Sequence, residues 1–142
     1  MLTGESVERQ VDEDQCSNRI IGSAIEVHRI LGPGLLESAY EAALAYQLRS
    51  DGMQILRQPQ LAIVYKEIEL PDAYRIDILV EDLVVVEIKA VDKLLPLHSA
   101  QLATYLKFSR KNLGLLLNFN CTALKDGIKR MVSGSVFAAR CT

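Results

Sequence analysis

Apolar residues first recur at helical spacing at Ile20, Ile21, Ala24, Ile25, His28 and Leu31, one face of an amphipathic helix that Ser17 or Asn18 would cap. Gly32-Pro33-Gly34 ends it, because proline lacks an N–H donor and glycine admits positive φ. A second helix is predicted over 35–49, with Leu36, Tyr40, Ala43, Leu44 and Leu48 on one side, and Asp51-Gly52 closes it. The period then shortens. Stretches 60–67, 74–80 and 83–90 are rich in Ile, Val and Tyr and read as three strands, with Pro71-Asp72 in the connection between the first two. A helix over 97–109 follows, with Pro96 near its first turn, then a buried strand over 113–119 and a last helix over 123–132. A strand, a helix and a further strand imply a right-handed crossover and parallel pairing. The class is therefore α/β, a mixed sheet flanked by helices. Residues 1–14 carry no apolar period and are expected to form a flexible segment, leaving 15–142 as a single domain.

Composition narrows the possibilities. With 142 residues, 49% of them hydrophobic, and a net charge of only −2, the chain has neither the apolar poverty nor the charge excess of a disordered protein. No apolar run approaches the ~18 residues of a membrane span, so no membrane partner is expected. The polar, acidic start does not read as a signal or transit peptide. Cys16, Cys121 and Cys141 are odd in number and lack CxxC spacing, which indicates neither a disulfide framework nor a zinc site and suits a reduced, cytoplasmic protein. The small net charge hides an asymmetry: residues 1–88 hold 16 acidic and 7 basic side chains, residues 89–142 hold 9 basic and 2 acidic. A basic binding face and lysines that merely decorate solvated helices both satisfy that pattern.

Candidate chemistry comes from charges inside apolar strands. Asp77 lies in Arg75-Ile-Asp-Ile-Leu, and Glu87 and Lys89 in Val86-Glu-Ile-Lys-Ala. Burying a charge is costly unless it is paired or binds a metal. Glu87 and Lys89 are two apart and share a strand face. A two-residue loop at Glu81-Asp82 would put Asp77 on the other face, whereas a three-residue loop pairs Val80 with Val84 and sets Asp77 opposite Glu87. The odd loop is expected, because it also makes Ile76, Ile78, Val86 and Ile88 one continuous apolar face. Carboxylates so placed lie within ~5 Å and can share a hard cation such as Mg²⁺. That cation and the lysine suit phosphodiester hydrolysis. A buried Asp77–Lys89–Glu87 ion-pair network would use the same residues, and both readings stand on the sequence.

The ordered residues resemble a known family. Asp77 followed by Glu87-x-Lys89 in adjacent strands resembles the PD-(D/E)XK nuclease signature, and Gln101-Leu-Ala-Thr-Tyr105 resembles the QxxxY motif of its RecB-like branch. Gly34-Leu-Leu-Glu37-Ser-Ala-Tyr40 is similar to the pattern that names the GxxExxY proteins. The resemblance implies a restriction-endonuclease-like fold, a mixed sheet flanked by helices with an α-β-β-β-α-β core. It implies Asp77, Glu87 and the Ile88 carbonyl as ligands of Mg²⁺, with Mn²⁺ as a substitute, and Lys89 as a catalytic group. Glu37 would be the acid supplied by the first core helix. Gln101 and Tyr105 would support the site or contact substrate phosphate. The implied partner is nucleic acid, DNA before RNA, and a homodimer is the implied assembly. The name-giving proline is absent before Asp77, since Ile76 stands there, and the literal Pro71-Asp72 is taken as a decoy in a polar connection.

The remaining candidates carry ordinary readings beside functional ones. Glu37 also fits a solvated first-turn acid, and Tyr40 a core aromatic. His28 fits a packed, hydrogen-bonded core histidine, while His98, three residues before Gln101, would approach the site along one helix face. Lys93 and Lys107, with Arg110, Lys111, Lys125, Lys129 and Arg130, are candidates for tracking a phosphate backbone. A non-catalytic module that binds nucleic acid or protein, and an oligomeric scaffold, are the competing functions.

Overall fold

The computed structural model describes residues 12–133. Helix α1 (Glu13–Leu31) begins earlier than the apolar period suggests. Asp12 caps it by accepting from the Asp14 N–H, and Glu13 and Asp14 place negative charge in the first turn, where the helix dipole favours it. Ser17 and Asn18 therefore lie inside the helix. The rest of the expected flexible segment, and Cys141, lie outside the described residues. Helix α2 (Glu37–Ser50) follows the Gly-Pro-Gly turn, in which Gly32 and Gly34 take φ of +67° and +103°. Strands β1 (Ile55–Arg57), β2 (Gln60–Tyr65), β3 (Ile68–Arg75), β4 (Ile78–Val80) and β5 (Val84–Lys89) come next, then helix α3 (Pro96–Ser109), strand β6 (Leu113–Asn118), a 3₁₀ turn (Leu124–Gly127) and strand β7 (Ile128–Val132).

The main sheet runs β1-β4-β5-β6-β7, with β5 and β6 parallel and the other neighbours antiparallel. β2 and β3 form a separate hairpin. Alternation along the strands sorts the core into two layers. Ile78, Val80, Val84, Val86, Ile88, Leu115 and Leu117 pack against Ile20, Ala24, Tyr40, Leu44 and Leu48 of α1 and α2. Leu79, Val85 and Leu116 face Leu102, Tyr105 and Leu106 of α3. An added Cβ at Gly114 of β6 would come within 2.9 Å of Leu102, so glycine there lets α3 lie close to the sheet.

Several expectations change. The strand expected over 74–80 is two strands in different sheets, interrupted at Ile76 and Asp77. Ile76 consequently packs with the α3 layer, not on one face with Ile78, Val86 and Ile88. Pro71-Asp72 lies within β3, beside a register shift between Leu61 and Ile63 of its partner, and not in a connection. Proline is tolerated there because such an irregularity leaves a ladder donor unneeded. The helix expected over 123–132 is the 3₁₀ turn and β7. The free edge of β6 takes β7 as an antiparallel partner. Gly127 makes the turn possible, since a Cβ there would stand 2.2 Å from the Asn118 carbonyl oxygen.

Candidate functional site

The three-residue loop is present: Val80 pairs with Val84, and the Leu83 N–H donates to the Val80 carbonyl at 2.9 Å. Glu81 and Asp82 both take φ of +54°, the left-handed pair that a tight hairpin turn needs. With Ile78 opposite Val86, Asp77 arrives beside Glu87. There the ladder gives way to side chains. The Asp77 N–H donates to Glu87 Oε1 at 3.3 Å, and the Ile88 N–H donates to Asp77 Oδ2 at 2.7 Å. Each acid is thus tied by one oxygen to a backbone N–H across the pair, and the Asp77 carboxyl also meets that of Glu41. A strand residue points its N–H and C=O to the same side, so the Ile88 carbonyl is directed toward Asp77.

Electrostatics separates this arrangement from an ion-pair network. Burial first, and then the charges of Glu41 and Glu37, push Asp77 up to about 7, against the pull of the Ile88 N–H. Burial, followed by the Asp77 charge, pushes Glu87 up to about 8; the Lys89 charge and the Asp77 N–H only offset part of that. Among the described residues no ion pair joins Lys89 to either acid. A structural network would hold both carboxyls below their ordinary range. These two are held above it, chiefly by burial, which at Glu87 the Lys89 charge offsets only in part.

Glu87, Lys89 and Gln101 line one open depression of about 470 Å³ together with Asp72, Tyr74 and Arg75. Tyr105 is buried, packs its ring 5.1 Å from that of Tyr74, and is pushed up to about 12 by burial and the Glu87 charge. Asp77 and Ile88 open instead to a smaller depression of about 240 Å³, shared with Glu37, Ser38, Glu41 and Gln58. Glu37 is exposed at its mouth. Asp72, the expected decoy, borders the Glu87 depression from β3.

Other expected residues lie elsewhere. Lys93 borders a separate depression of about 470 Å³ with Lys129 and the start of α3. Lys107 sits on the exposed side of α3 with its ammonium 5.3 Å from the Phe108 ring centroid. His98 folds back to accept from the Leu95 N–H at 3.0 Å, capping α3, and does not line the carboxylate depressions. Tyr40 is a core aromatic: it stacks on Phe119 at 4.7 Å, and its hydroxyl donates to Gly32 O at 2.5 Å and accepts from the Leu35 N–H. It therefore fastens the turn from which α2 presents Glu37. His28 is packed and hydrogen-bonded to the Cys121 carbonyl at 2.7 Å.

Glu41 was not among the candidates. It is 5% exposed, receives Arg57 Nη2 at 2.9 Å and the Gln58 amide at 3.3 Å, and acts on Asp77. Its signal was present, since Glu41 falls on the apolar stripe of Leu44, Ala45 and Leu48, where a carboxylate needs a reason.

Among the described residues no three His, Cys, Asp or Glu side chains are placed to hold a metal ion. Two carboxylates with a directed carbonyl remain as a donor set. Two buried acids held above their ordinary range, first by burial and then by neighbouring carboxylates, suit a hard cation, which would neutralise both. Among the described residues no helix is long and apolar enough to cross a membrane. No curated protein and no solved structure matches the chain. The sequence model of the PD-(D/E)XK nuclease superfamily matches residues 14–131, which span both helical layers, the whole main sheet up to Met131, and the Asp77–Glu87–Lys89 cluster, so the chain belongs to that superfamily.

Proposed function

We propose that the protein is a cytoplasmic, divalent-metal-dependent phosphodiesterase acting on nucleic acid, with DNA as the first substrate to test. Asp77, Glu87 and the Ile88 carbonyl would hold Mg²⁺, or Mn²⁺ in its place. The cation, when bound, supplies polarisation of a phosphoryl oxygen and acidification of a water. The observation that carries this reading is the pair of acids tied to backbone N–H groups and held above their ordinary range by burial, with Lys89 on the strand face of Glu87 and, among the described residues, in no ion pair with either.

Lys89 shares the strand face and the depression of Glu87, which suits its ammonium to orienting the attacking oxygen and stabilising negative charge on the phosphate. Gln101 offers its amide to the same depression from α3. Tyr105 keeps its proton, being pushed up to about 12, and serves as a phenolic wall behind Glu87. Glu37 adds charge at the mouth of the Asp77 depression, felt by both acids.

The test is cleavage of single-stranded, double-stranded and branched DNA and RNA with Mg²⁺ or Mn²⁺ by wild type, Glu87→Ala and Lys89→Ala, purified identically. Wild type alone is expected to cleave, chelator to abolish cleavage, and each variant to lose at least ~10²-fold. Equal cleavage by all three proteins would sink the reading. Nucleic-acid binding without cleavage in any of them would favour the non-catalytic module.

A further inference from the structure

The bend at Ile76 and Asp77 has no ladder partner of its own, because β3 ends at Arg75 and β4 starts at Ile78. What fixes the direction of the Asp77 carboxylate must therefore come from outside the strand. One residue reaches three of the segments that meet there. The Gln58 N–H donates to the Asp77 carbonyl at 2.8 Å. Its side-chain amide donates to both Glu41 oxygens at 3.3 Å, and its amide oxygen faces Arg75 Nη1 at 3.5 Å. Gln58 thus joins the bend to α2 and to the end of β3. It does so at φ of +49°, a left-handed conformation uncommon outside glycine and held only where surroundings enforce it. Glu41 is held in turn from the other side, by Arg57 Nη2 at 2.9 Å and Nε at 3.3 Å.

We infer that Gln58, acting through the tie of its side-chain amide to Glu41, is a positioning residue that aims the Asp77 carboxylate at the Ile88 edge of β5. It touches neither substrate nor cation; it sets the placement of a side chain that does. The inference rests on the metal-site reading above for its consequence, but its geometry has a readout that needs no metal. The Ile88 N–H, bonded to Asp77 Oδ2 at 2.7 Å, reports where that carboxylate sits.

The experiment uses the full chain as wild type, Gln58→Ala and Gln58→Asn. Amide exchange is followed by NMR without metal, and Mn²⁺ is titrated into each protein by EPR. In Gln58→Ala the Ile88 amide is expected to exchange faster while the Val85 and Leu115 amides keep their protection. Mn²⁺ affinity is expected to fall ~10-fold or more, the usual effect of losing a residue that orients a ligand. Gln58→Asn keeps an amide and tolerates the left-handed conformation, so it should recover part of both. Unchanged Ile88 exchange and Mn²⁺ affinity in Gln58→Ala would overturn the inference. So would a uniform rise in exchange across all core amides, which marks a strut for the whole fold. Absence of Mn²⁺ binding by wild type would instead overturn the metal-site reading, while the Ile88 exchange still decides the role of Gln58.

Discussion

The Asp77 and Glu87 carboxyls are raised from ordinary values of 3.8 and 4.5 to about 7 and about 8, first by burial and then by neighbouring carboxylates. Below their unfolded values both groups are protonated in either state, and nothing is lost. Between those values and the folded ones, the unfolded chain has released protons that the folded chain retains, so stability falls as pH rises. The metal-free protein should therefore have a melting temperature that declines through about pH 7 and 8, and Glu87→Gln should flatten that decline. Melting curves across pH check this; a rising profile would refute it. A divalent cation should reverse the trend and release protons on binding near neutral pH, a release that calorimetry in buffers of differing ionisation enthalpy would detect. The three charged strand residues were legible in the sequence because charge in an apolar run stands out. Gln58 was not, and Glu41 showed only as a carboxylate on an apolar stripe. Their importance arises from where α2 and the end of β1 meet the bend, a contact that no local spacing encodes.

Elements place these residues, and two substitutions test how. Gly114→Ala pushes a methyl into Leu102 and so lifts α3 from β6. It should destabilise by about 1–3 kcal/mol in urea titrations, and it should weaken any function of Gln101, which α3 carries. Tyr40→Phe removes the hydroxyl bonded to Gly32 O and the Leu35 N–H. A loss of about 1–3 kcal/mol is expected, because both backbone groups lose a partner. At this scale the sequence was a good guide where the chain pairs locally. The parity of the Val80–Val84 loop followed from asking which register keeps apolar residues together. β1 was missed because three residues carry no readable period. β7 was mistaken for a helix because Ile128 and Met131 are spaced three apart, while pairing with the free edge of β6 decided the outcome.

Across the whole molecule, the main sheet is shared. Each central strand sends alternate residues into the α1–α2 layer and the α3 layer, so neither layer keeps its core without the other. Unfolding should be a single cooperative step. Tyr40 marks one layer and Tyr74 and Tyr105 the other, and the chain has no Trp, so near-ultraviolet circular dichroism samples both layers. Its urea transition should coincide with the far-ultraviolet one, and two separate midpoints would contradict a shared core. Among the described residues, part of the basic charge of the second half is taken up in pairs or set apart from the acids. Lys111 pairs with Asp82 and Arg130 with Asp14, and Lys93 and Lys129 gather away from the acids.

One arm of the β2–β3 hairpin joins the body of the protein at the bend that carries Asp77 and the other at Gln58, while Leu61 and Tyr74 pack its base against the α3 layer. The acid thus belongs to one of the hairpin's two joints. A molecule that gripped the hairpin would therefore load the joint on which that carboxylate rides.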